Sequence, residues 1–162
     1  MLSTSISAPA AWAANAPTYH YDNLRTGWNQ DETVLTPAAV ASSQFKIIAS
    51  AALDDQVDAQ PLVVTSQTIT GKGVRDVVYV ATEGNSVYAI DASTGEVLIQ
   101  KNFGTPVPHT ALPGQCTDNG PNIGITSTPV INLASRRMFV ITYTFESGNP
   151  VYRVHKARSH DS

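Results

Sequence analysis

VVYVATEGNSVYAIDASTGEVLIQ, residues 77–100, decides how the rest of the chain is read. Short runs rich in β-branched and aromatic residues, VVYVAT (77–82), SVYAID (86–91) and EVLIQKN (96–102), are separated by turn residues at hairpin spacing. In the first turn, Glu83-Gly84-Asn85, glycine and asparagine both suit a positive φ. The second turn, Asp91 to Gly95, uses three devices. The Asp91 carboxylate accepts from backbone N–H groups two or three residues on, and the Thr94 hydroxyl does the same. Gly95 supplies the left-handed step that returns the chain. Asp91 therefore reads as a turn residue rather than a metal ligand or a general base.

The same texture extends in both directions. FKIIASAAL (45–53), AQPLVVT (59–65), TPVIN (128–132), RMFVITYT (137–144) and PVYRVH (150–155) complete a series of eight expected strands. No window keeps helical periodicity for three turns. In LTPAAV, Thr36 is placed to cap one turn over Pro37 to Val40, since proline suits the first helical position. The fold class is all-β. An internal repeat is also present: AQPLVV (59–64), VVYVAT and SVYAID lie over STPVIN (127–132), RMFVIT (137–142) and PVYRVH. Pro61 and Pro129 then fall at the same point, a strand start where proline is tolerated. Repetition at this length points to small sheets arranged around an axis, because a lone sheet leaves apolar faces and edges uncovered.

VYAIDASTGEVLIQ resembles the strand-turn-strand signature of the PQQ-like, quinoprotein alcohol dehydrogenase-like β-propeller repeats. Ala89, Asp91, Thr94 and Gly95 match its Ala-x-Asp-x-x-Thr-Gly run, while Ile99 stands where the family has tryptophan. PTYHYDNLRTGWNQDETVLTPAAV (17–40) and GITSTPVIN (124–132) are similar to the segments that open such proteins and their next blade. The resemblance implies a partial β-propeller of about two blades of antiparallel strands, the second incomplete, whereas full rings have about four to eight blades. It divides the chain into a signal-peptide remnant or disordered leader (1–16), an irregular segment (17–44), the repeats (45–155) and an unstructured tail (156–162). The expected function is a non-catalytic scaffold or binding module, the N-terminal fragment of an exported (secreted or periplasmic) protein. The alternative is a truncated quinoprotein oxidoreductase with its PQQ and calcium site in missing blades. Self-association through open sheet edges is a third expectation.

The remaining residues carry little chemistry. The 162 residues are 42% hydrophobic and 14% charged, with a net charge of −3. The 10 Lys and Arg residues form no stripe, so no nucleic-acid surface is expected. Arg136-Arg137 reads as a solvated strand face. No apolar run approaches the ~20 residues of a membrane span. Ala11-Trp12-Ala13 and Ala14-Asn15-Ala16 fit signal-peptidase spacing, but Pro9 breaks the apolar stretch and the first cation is Arg25. The single cysteine, Cys116, forms neither an internal disulfide nor a thiolate zinc site. His20, His109, His155 and His160 show no metal spacing, and His20 is expected to be packed. Asp54, Asp55 and Asp58 lack the glycine and bidentate glutamate of a calcium loop and read as a polar lead into a strand. No G-x-S-x-G elbow or adjacent cysteine pair is present. The stretch 104–126, with four prolines and Cys116, reads as a long loop, the kind of segment that is either functional or disordered.

Overall fold

The computed structural model describes residues 14–114 and 120–159. Alternating burial and hairpin turns produce three antiparallel sheets, none of them closed, so the protein is all-β. β1 (Leu62–Ile69), β2 (Gly73–Ala81), β3 (Ser86–Asp91) and β4 (Val97–Asn102) form a four-stranded sheet in sequence order. β5 (Val107–Pro108) and β6 (Asn122–Ile123) make a two-residue ladder. β7 (Val130–Asn132), β8 (Arg137–Glu146) and β9 (Asn149–Arg158) form a three-stranded sheet, again in sequence order. The short helix α1 (Pro37–Val40) is capped as the sequence predicts, with the Ala39 N–H donating to Thr36 Oγ1 at 3.2 Å. No helix among the described residues is long and apolar enough to cross a membrane.

One face of each large sheet meets the other. Leu62, Val64, Val77, Tyr79, Ala81, Val87 and Ala89 from the first sheet share a core with Ile131, Met138 and Val140 of the second. Each fully buried aliphatic side chain contributes roughly 1.5–3 kcal/mol. This layer is what holds the two sheets together. The Tyr79 hydroxyl donates to the Ser159 carbonyl across the same interface. Residues preceding β1 join the sheets at their edges: Ala16 bridges Val63, and Ile131 N–H donates to Pro17 O at 2.8 Å. The far face of the first sheet, Val80, Tyr88 and Ile90, is covered by Ala51 and Leu53.

Five expectations need correction. FKIIASAAL (45–53) is not a strand. Ala49 lies against the turn at Gly95, Ala51 and Leu53 lie over β2 and β3, and Asp54 reaches Thr82 and Ser86. Side-chain burial on a face has displaced ladder pairing, which needs an edge, and the segment is an extended strap. The tail 156–162 is not unstructured throughout, because β9 continues to Arg158 and Ser159 is buried. The stretch 104–126 is not a plain loop, since Val107 and Ile125 are both fully buried and the β5–β6 ladder closes it. Cys116 and the rest of 115–119 lie outside the described residues, as do 1–13 and His160. His20 is exposed, stacked on Tyr19 at 4.0 Å, rather than packed. His155 lies within β9 and not at a strand end.

The repeat survives, with one change of register. Pro61 and Pro129 each sit one residue before a strand, as expected. In the first sheet Val77, Tyr79 and Ala81 pair with Asp91, Ala89 and Val87. In the second, Arg137, Phe139 and Ile141 pair with Arg158, Lys156 and Val154. Val154, not Val151, therefore stands where Val87 does, because the β8–β9 strands are longer before their turn. An odd shift moves every side chain to the opposite face. Arg158 occupies the place of the signature aspartate.

Candidate functional site

The matched signature is a completed turn. Asp91 Oδ1 accepts from the N–H of Ser93 (2.8 Å) and Thr94 (3.1 Å), and Oδ2 lies 3.1 Å from Arg75 Nε. Those backbone donors, Ser93 first, outweigh burial and hold the Asp91 carboxyl below its ordinary value. Thr94 Oγ1 accepts from Glu96 N–H at 3.2 Å. Gly95 has φ 74°, and a Cβ there would stand 2.5 Å from the Ala49 methyl, so glycine is needed for conformation and for space. Ala89 is buried in the intersheet core. An open groove of about 450 Å³ runs beside this turn, lined by Val74, Arg75, Asp76, Asp91 and Glu96 among others. Its charged groups are already engaged: Arg75 with Asp91, and Asp76 Oδ1 with Ser66 N–H at 2.8 Å.

The densest polar chemistry lies at the other end of β3, in Thr82-Glu83-Gly84-Asn85-Ser86. Thr82, Glu83, Asn85 and Ser86 are all fully buried, unusual for residues of an expected surface turn. Of the two φ expectations only Asn85 takes the left-handed step, at φ 60°. Gly84 is needed for space instead, since a Cβ would come 2.9 Å from Asp54 Oδ2. The Asp54 carboxylate accepts from Thr82 Oγ1 (2.7 Å) and Ser86 Oγ (2.5 Å). Desolvation pushes its carboxyl up, but hydrogen bonds from Ser86, Thr82 and Tyr88 prevail and set it below the ordinary value. Asn102 Nδ2 closes the ring by donating to Gly84 O and Ser86 Oγ at 2.8 and 3.0 Å.

Glu83 points the other way. Its Oε2 accepts from Gly124 N–H at 2.5 Å and from Thr126 Oγ1 at 3.2 Å. Oε1 is buried and has no hydrogen-bond partner. Desolvation is the largest influence, and the neighbouring Asp58 carboxylate adds to it, so the Glu83 carboxyl is raised. The Asn85 amide donates to Tyr143 O at 2.9 Å, while its Oδ1 is a second buried acceptor without a partner. Gly124 is pressed against both residues, and a Cβ there would overlap the Glu83 carbonyl. The turn thus clamps the segment that leads into the second sheet. Two donors to one carboxylate oxygen, at roughly 1.5–3 kcal/mol each for hydrogen bonds to charged groups, make it a strong fixture.

The remaining expected positions separate. Asp54 turns into the hydroxyl ring, Asp55 Oδ2 accepts from Asn122 Nδ2 at 2.8 Å, and Asp58 Oδ1 accepts from Gln56 Nε2 at 2.8 Å. Each carboxylate has a different protein donor, and among the described residues no three acidic, histidine or cysteine side chains gather as a metal site. His155 Nε2 lies 3.0 Å from Thr142 Oγ1, with its ring 4.7 Å from Phe103. Burial, and then the charge of Arg153, lowers its pKa. His109 is half-buried, with Nδ1 unpartnered.

Thr82, Glu83, Ser86 and Gly124 were not singled out as functional from sequence. The available signal was an unbroken polar run between two strands, which is also how a solvated turn looks. No known protein family, curated protein or solved structure matches the chain.

Proposed function

We propose that the chain is a non-catalytic scaffold or binding module built from PQQ-like β-propeller repeats, from an exported protein. One observation carries this reading: two sheets with strands in sequence order, with β1–β2 and β7–β8 paired in matching register and each sheet entered one residue after a proline. The placement of the polar groups supports it further. Asp91 and Thr94 are used by their own turn, Asp54 by Thr82 and Ser86, and Glu83 by the segment at Gly124. Such side chains position backbone, and the hydroxyls that meet Asp54, those of Thr82 and Ser86, belong to fully buried residues. In this reading the propeller is partial, and the three-stranded sheet is the later repeat. The chain takes no nucleic acid and carries out no quinone chemistry of its own.

The test is a titration of the protein with PQQ, with and without calcium, followed by dye-linked oxidation of alcohols and sugars. The expected result is no saturable quinone binding and no dye reduction above the protein-free control. Stoichiometric quinone binding that depends on calcium would replace the scaffold by the oxidoreductase.

A further inference from the structure

A cleft of about 160 Å³ lies between the second sheet and the segment that links β6 to β7. The sheet contributes Ile141, Tyr143 and Tyr152 to it. The segment contributes Ile123, Thr126 and Ser127, with the Gly124 backbone among them. Tyr143 and Tyr152 stand directly opposite each other in the β8–β9 ladder and stack at 4.2 Å, with 16° between their planes. Tyr152 is 70% exposed, so the pair offers a flat ring surface to solvent.

The Glu83 turn holds the other side of the cleft in place. Glu83 Oε2 accepts from Gly124 N–H and from Thr126 Oγ1, and Tyr143 N–H donates to Gly124 O at 3.1 Å. The segment is thereby tied both to the first sheet and to β8, and the cleft is pre-formed. A ligand entering it has little chain to order.

The lining narrows the ligand. Among the described residues that line the cleft none carries a charge, whereas Thr126, Ser127, Tyr143 and Tyr152 carry hydroxyls. With its own proton directed to Glu83, the Thr126 hydroxyl presents lone pairs to an incoming O–H. The volume is below the roughly 300–1,000 Å³ of drug-sized sites and suits a single ring. A pyranose meets each demand. It is uncharged, its apolar C–H face suits the negative face of an aromatic ring, and its edge carries O–H donors. An anionic ligand finds no cation in this lining. A wholly apolar ring would displace water from Thr126 and Ser127 and return no hydrogen bond.

We infer that this cleft binds one neutral sugar residue, its ring face on the Tyr143–Tyr152 pair and its hydroxyls toward Thr126 and Ser127. The inference rests on the binding-module reading and gives it a ligand class.

The test titrates methyl β-D-glucopyranoside, methyl β-D-galactopyranoside and methyl α-D-mannopyranoside into the isotope-labelled full chain, with glucuronate and phenol as controls. Amide chemical shifts are followed. At least one glycoside should move the Gly124, Thr126 and Tyr143 amides saturably, with a Kd on the order of millimolar and tighter than either control. Tyr152→Ala should weaken binding about tenfold, and Tyr152→Phe, which keeps the ring, should stay within about threefold of wild type. Ser127→Ala, on the opposite side of the cleft, should weaken it about threefold and supplies an independent check. Tyr152 and Ser127 are both exposed, so these variants are expected to keep the wild-type circular dichroism spectrum and melting temperature. No saturable shift with any of the three glycosides, equal affinity for glucuronate or phenol, or unchanged binding by Tyr152→Ala overturns the inference. The scaffold reading, carried by the repeated sheets, would survive those results. A glycoside recovered in oxidised form, with an added dye reduced, would instead keep the site and overturn the non-catalytic reading.

Discussion

Replacing Glu83 by glutamine gives the sharpest test of the buried turn. Oε2 accepts from Gly124 and Thr126, whereas Oε1 is buried without a donor and faces the Asp58 carboxylate. An ionised Glu83 leaves an acceptor unmet, at a cost of roughly 1–3 kcal/mol. Glutamine keeps one oxygen for Gly124 and turns the other position into an N–H donor toward Asp58. The gain is therefore expected to be about 1–2 kcal/mol at alkaline pH, a rise in Tm of roughly 2–8 °C for a chain of this size. Linkage fixes the pH range. Because the folded pKa lies above the unfolded one, the protonated carboxyl's contribution is complete below the ordinary value of 4.5 and is lost as pH rises through the folded value. Wild type and Glu83→Gln should thus melt together near pH 4 and separate as pH rises. Thermal melts followed by circular dichroism across that range measure the difference. A Glu83→Gln protein that melts below wild type by a constant amount at every pH would show that Oε1 is not the unmet acceptor.

Gly124→Ala places a methyl on the Glu83 carbonyl, and urea unfolding should show a loss of about 2 kcal/mol or more. Asn85→Ala forfeits the hydrogen bond to Tyr143 and strains a positive φ, whereas Asn85→Gly forfeits only the bond. The alanine variant should be the less stable by about 1 kcal/mol in the same assay, and equal losses would remove the conformational argument. Asp91→Ala should destabilise by about 1–2 kcal/mol near neutral pH, with Asp91→Asn closer to wild type because it retains an acceptor for Ser93 and Thr94. The depressed Asp91 carboxyl contributes above its unfolded value and loses that contribution as pH falls through the folded one. The Asp91→Ala deficit should therefore shrink in acid melts.

Local chemistry was legible in the sequence wherever the partner was near in the chain. Thr36 caps its helical turn, Asp91 receives Ser93 and Thr94, and both prolines mark strand starts. Burial that depends on distant segments was not legible. Glu83 is enclosed by residues some forty positions later, through Gly124 and Thr126, and no pattern inside 82–86 encodes that. The strap failed as a strand for a related reason. FKII has the composition of a strand, but composition does not say whether a sheet edge is within reach. The repeat alignment went astray at β9 because hairpin length sets register, and the longer β8–β9 ladder moves Val154 into the place first given to Val151.

The strap has an uneven thermodynamic character. Ala51 and Leu53 fix it through side chains, and Asp54 N–H donates to the Tyr88 hydroxyl at 3.1 Å. It belongs to no ladder, unlike β3 directly beneath it. Amide protons in the two layers should therefore exchange with solvent on separate timescales: those of Val87 and Ala89 only with global opening, those of the strap through a smaller, local excursion. During such an excursion Val80, Tyr88 and Ile90 meet water while the sheet itself stays whole.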